Sequence, residues 1–151
     1  MKFMQKYGAA AAALASVMLF SACAEGTDIG AARAEVCVNT PACVVIEVTA
    51  GDEEKSLYDA LAVFAERGEL TMDGSWSQYG FYLTSLNGTD ADEGHYWAVY
   101  TSLGTLDGVA YSDPSYGTWE YEGKQLFGAS YGVSGLPLVA GECYALVYQS
   151  L

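Results

Sequence analysis

Positive charge is scarce in this 151-residue chain, in which six Lys and Arg stand against 19 Asp and Glu for a formal net charge of −13. Lys2 and Lys6 sit at the very start, so the rest relies on Arg33, Lys55, Arg67 and Lys124. Nucleic-acid binding rests on Lys and Arg neutralising phosphates, and this shortage excludes it. The same balance repels anionic lipid headgroups. Histidine is scarcer still, His95 being the only one. A histidine base needs an orienting acid and a nucleophile, and no such trio stands out. There is also no phosphate-cradling glycine loop, no nucleophile elbow and no clustered metal-ligand spacing, so no enzyme is expected. A long hydrophobic run is missing too. The longest, Tyr7 to Phe20, is shorter than the roughly 18–20 residues of a spanning helix. Aromatics, by contrast, are plentiful: 12 Tyr and 3 Trp supply apolar burial that disordered chains do not have.

The amino end reads as an export signal: two lysines, a short apolar run, and small residues before a cleavage point. Ser21-Ala22-Cys23 resembles the lipobox of bacterial lipoproteins, with Phe20 where Leu is usual. That resemblance implies removal of residues 1–22, diacylglycerol on the Cys23 thiol, and a protein held to the bacterial envelope by its lipid, outside the cytoplasm. The remaining 129 residues would carry a formal charge of −15 and make one domain. Residues 23–34 are small and polar and read as a tether, leaving a domain over 35–151.

Three further cysteines, Cys37, Cys43 and Cys143, would then sit in an oxidising location. One disulfide and one free thiol is the simplest expectation. Either a local Cys37–Cys43 loop or a tie from one of them to Cys143 satisfies it, and spacing does not choose.

Cys43 to Thr49 is rich in β-branched residues and predicts a strand. Gly51 to Lys55 reads as a charged turn. Ser56-Leu57-Tyr58-Asp59 has the form of a capping box, and Leu57, Ala60, Leu61 and Phe64 fall on one helical face, with Gly68 as the stop. Strands are expected at Phe81–Leu86 before Asn87-Gly88, at His95–Thr101, on both sides of Glu122-Gly123, and at Cys143–Tyr148. The sum is an α+β domain: an antiparallel-dominated sheet of five or six strands with one helix packed on it.

Four blocks in order carry a resemblance. They are Ser56 to Leu61, Gly80 to Gly88, Tyr96-Trp97-Ala98-Val99-Tyr100, and Tyr131-Gly132-Val133-Ser134 with Val139 to Gly141 and Ala145 to Tyr148. Together they resemble the transcobalamin-like C-terminal domain family, found in bacterial surface proteins and as the smaller domain of vitamin B12 carriers. The resemblance implies a small α+β domain that helps hold a ligand, such as a corrinoid or another flat ring compound. In those carriers a separate helical domain completes the site, and this chain has none. A surface-protein interaction or adhesion module is the other reading.

For the contact residues, Tyr96 and Tyr100 share one strand face, while Trp97 and Val99 share the other. Leu103 to Tyr116 is a long segment without a clear strand that holds Tyr111 and Tyr116, and loops of that length often carry function. Tyr96, Tyr100, Tyr111 and Tyr116 are therefore the expected ligand contacts, against the bland alternative that each is core packing. Asp90 to Gly94 reads as a solvated acidic turn rather than a calcium loop.

Overall fold

In the computed structural model, which describes residues 26–151, the chain opens with β1 (Thr27–Ile29), β2 (Ala32–Asn39), β3 (Cys43–Ala50), β4 (Asp52–Ser56) and helix α1 (Leu57–Glu66). Next come β5 (Met72–Ser77), β6 (Gly80–Leu86), β7 (Thr89–Asp90), β8 (His95–Thr101), β9 (Thr105–Leu106) and β10 (Val109–Ala110). The chain closes with β11 (Ser112–Tyr121), β12 (Lys124–Ala129), a 3-10 turn (Val133–Gly135), β13 (Pro137–Leu138) and β14 (Cys143–Ser150). The largest sheet has seven strands in the order β11-β12-β8-β14-β3-β2-β1, every pair antiparallel. Smaller sheets pair β9 with β10, β13 with β4, and β6 with β5 and β7. The fold is α+β.

The helix forms where the sequence predicts. Ser56 Oγ accepts from the Asp59 N–H at 3.3 Å, and the Asp59 carboxylate accepts from the Ser56 N–H at 2.7 Å, closing the capping box. Leu57, Ala60, Leu61 and Phe64 are fully buried against Val44 and Ile46 of β3, Leu146 and Tyr144 of β14, and Trp97 of β8. Tyr144 is the largest fully buried side chain, and its hydroxyl is not left unpaired. It donates to Pro137 O and accepts from the Val139 N–H, tying β14 to β13. Asn87-Gly88 and Glu122-Gly123 take positive φ at both positions, as two-residue hairpin turns require.

Several expectations need correction. Residues 26–34 are not a free tether: β1 and β2 extend the sheet by two strands, and Ile29, Ala32 and Ala34 are buried in the core beside α1. The small alanines that read as linker are the residues that let chain and helix pack closely. The charged stretch before the helix is strand β4, paired with β13, rather than a turn. No disulfide joins Cys37, Cys43 and Cys143, because Cys43 and Cys143 are both free thiols. Register explains part of this. Cys143 lies opposite Glu47, and Cys43 opposite Val147. Four strand residues separate the two positions, about 13 Å, beyond the roughly 7 Å a bridge tolerates. Burial pushes the Cys143 thiol up to about 12, helped by Glu47, so it is inert at neutral pH. No helix of the described residues is long and apolar enough to cross a membrane. Cys23, the expected lipid site, lies outside the described residues.

Candidate functional site

Strand β8 positions the site. One of its edges pairs with β14 along its whole length, from His95↔Ser150 to Thr101↔Tyr144. The other meets β12 at only two places, Thr101↔Phe127 and Tyr100↔Gly128. Beyond Gly128 the chain veers away through Ser130, Tyr131 and Gly132. Among the described residues Tyr96 to Val99 have no ladder partner on that side, and a cleft of about 320 Å³ opens in the gap.

Rings furnish this cleft. Tyr100 forms the floor at 6% exposure, and Tyr96 stands at the rim. The Tyr100 hydroxyl donates to Gln149 Oε1 at 2.9 Å, and Gln149 Nε2 donates to the Tyr96 hydroxyl at 2.9 Å, so one amide fixes both phenols. Tyr116 forms a wall, 63% exposed, on a part of β11 that bulges away from β12 between Asp113 and Thr118. Gly128 permits that approach, since a Cβ there would meet the Tyr116 carbonyl oxygen at 2.7 Å. Tyr131 supplies the opposite side. None of the described residues around the cleft is charged. A strand edge has alternate N–H and C=O groups turned outward, so the gap combines aromatic faces with backbone hydrogen-bonding groups.

Three of the four tyrosines picked from the sequence, Tyr96, Tyr100 and Tyr116, therefore meet in one cleft. Tyr111 does not line it. Its backbone bonds to Gly104 and Ser130, and its ring packs behind Tyr131 at 5.5 Å, in contact with the helix-side core. The segment from Leu103 to Tyr116 is no open loop either, being the β9–β10 hairpin and the first half of β11. Tyr131 was not picked. In the sequence it stands only in the block Tyr131-Gly132-Val133-Ser134, as an aromatic before a turn glycine.

The remaining candidates are structural. His95 Nδ1 lies 3.0 Å from Asp92 Oδ1, and the imidazole stacks on Tyr148. The Gly94 N–H and then His95 hold the Asp92 carboxyl below its usual range, so the acidic turn is internally satisfied. No cluster of three or more His, Cys, Asp or Glu able to hold a metal occurs among the described residues. No protein family, curated protein or solved structure matches the chain.

Proposed function

We propose that this protein is a non-enzymatic ligand-binding lipoprotein and that its β8 cleft receives the edge of a flat ring compound. The observation that carries the reading is the split between β8 and β12, which makes an uncharged, tyrosine-lined concavity with a strand edge inside it. Concave aromatic sites with a few placed polar groups are the usual form of small-molecule sites, and about 300 Å³ is the lower end of their size range. A ring system would slide between Tyr116 and Tyr131 with its substituents bonding to the backbone of β8. A corrinoid is much larger than the cleft, so only part of it would be held here. Modest affinity follows, as the resemblance to a domain that normally works beside a partner domain also implies. A recessed site supports this reading over a flat adhesion face. Attachment to the envelope through lipid on Cys23 belongs to the same proposal.

The test is a binding screen of the purified full chain against corrinoids, tetrapyrroles and glycans, repeated with Tyr116→Ala. Tyr116 is largely exposed, so the variant should keep its thermal midpoint and bind a hit about tenfold more weakly, the scale of losing one well-placed ring contact. No binding across the screen, or a hit bound equally by the variant, removes the cleft from consideration.

A further inference from the structure

A second cleft, of about 620 Å³, opens where the first turn of α1, the β5–β6 hairpin and the 3-10 turn converge. Its construction differs from that of the first. Tyr58, Trp76, Tyr79 and Tyr131 bring four rings, and Glu54 and Asp59 bring two carboxylates. Tyr58 and Trp76 lie 4.8 Å apart with their planes at 70°, and Phe81 backs both, at 4.6 Å from Tyr58 and 5.3 Å from Trp76. The rings thus present walls in two orientations and are braced from behind. Asp59 is fixed as well, because its Oδ2 accepts from the Ser56 backbone in the capping box.

The hairpin is clamped in place. The Phe81 N–H donates to Ser134 Oγ at 3.0 Å, and Gly80, at φ +109°, approaches the same hydroxyl so closely that any Cβ would collide with it. That contact holds Trp76 and Tyr79 at the mouth, where they are 60% and 90% exposed. Large rings in water contribute little to the core. Here they surround a space instead.

Among the described residues, no Lys, Arg or His lines this cleft. Two of the four cations in the domain are occupied elsewhere, Arg33 with Asp28 and Arg67 with Glu69. Lys55 alternates to the side of β4 opposite Glu54 and Ser56, over Gly30. The cleft therefore joins the negative faces of aromatic rings to two carboxylates with no described Lys, Arg or His beside them in the lining, on a chain of net charge −13.

We propose that this cleft binds an organic cation of the quaternary-ammonium class. Aromatic faces attract such a cation, and its methyl groups tolerate the loss of water that a primary ammonium resists. Glu54 and Asp59 supply the balancing charge. The volume exceeds one trimethylammonium group, so the natural ligand carries a body beyond its headgroup. The site is separate from the β8 cleft and shares with it only Tyr131 and Gly132.

Choline is the probe, titrated into the purified full chain by calorimetry, beside its uncharged isostere in which a tert-butyl group replaces the trimethylammonium. Choline should bind saturably and at least about tenfold more tightly than the isostere. Trp76→Ala should weaken choline about tenfold. Glu54→Gln should weaken it several-fold and flatten its salt dependence. Tyr116→Ala should leave it unchanged. Should Trp76→Ala lower the thermal midpoint, Glu54→Gln alone decides. Equal binding of choline and isostere, no saturable choline binding, or choline binding indifferent to Glu54→Gln overturns the proposal. A saturable response to a neutral oligosaccharide without one to choline overturns it in favour of sugar stacking.

Discussion

The two faces of the seven-stranded sheet are built on different terms. The face under α1 is filled by Val44, Ile46, Leu146 and Tyr144 against Leu57, Leu61 and Phe64, all of them shut off from water. The opposite face has a smaller buried set of Val45, Ala98, Tyr100, Leu126, Cys143 and Ala145, and among the described residues no helix lies over it. There Tyr100 stacks on Trp119 at 6.3 Å, and Trp119 on Tyr121 at 6.4 Å with their planes 2° apart, so half-buried rings do part of what a covering layer would do. This face also accepts charge. Glu35 and Glu47 are direct partners across β2 and β3, and like charges so placed destabilise a sheet. One face is made for stability. The other gives up some of it and keeps its aromatics near the surface.

If that contrast is right, the largest loss should come from the covered face. Leu61→Ala should cost about 2–5 kcal/mol in chemical denaturation, because a fully buried leucine leaves a cavity that the helix and sheet cannot close. A loss under about half a kilocalorie would mean that the helix face contributes nothing special. Trp119→Ala, on the open face, should cost less, about 1–2 kcal/mol, since it removes two stacking contacts from a ring still partly wetted. A cost equal to that of Leu61→Ala would erase the distinction.

The smallest effect is the sharpest. Burial, then the neighbouring Glu47, push the Glu35 carboxyl above its ordinary 4.5, with Arg33 pulling the other way. A raised acid binds its proton more tightly folded than unfolded. Its stabilising contribution is therefore complete below about pH 4.5 and is lost as the pH climbs through the folded value. Glu35→Gln should stabilise the domain by about 0.5 kcal/mol at pH 7 and by nothing measurable at pH 4. An equal effect at both pH values would show that the pair is not electrostatically coupled.

The helix and the strands it covers were legible because their apolar residues recur at fixed periods. Leu57, Ala60, Leu61 and Phe64 give the helix, and Ser56 with Asp59 marks where it begins. Strand β8 was equally plain, as was the division of its side chains into two faces. β1 and β2 were not, since Ala32, Ala34 and Glu35 have neither the bulk nor the branching of strand formers, and the burial of the two alanines depends on how closely α1 approaches. β5 escaped for the opposite reason: Met72 to Ser77 is nearly all exposed and has no buried alternation to detect. The clefts were illegible in a deeper sense. The gap beside β8 arises because β12 stops pairing after Gly128, a fact of register between strands distant in sequence. Tyr96, Tyr100 and Tyr116 could be chosen as aromatics in or near a strand, but what brings in Tyr131 is the direction in which a turn leaves the sheet. The expected pairing among Cys37, Cys43 and Cys143 failed likewise, because parity of thiols says nothing about register.

The way the large sheet ends has a consequence for how copies of this chain behave at high density. β1 is three residues long, and β11 carries Pro114 and a bulge, so among the described strands neither outer margin offers a long straight template for a neighbour's backbone. Short strands, proline and bulges are the common guards against one sheet growing into the next. Inside the large sheet, the stretch Tyr96 to Val99 that β12 leaves unpaired is recessed in the cleft beside tyrosine rings. At high concentration, the two margins of the large sheet are therefore poor places for one copy to extend another.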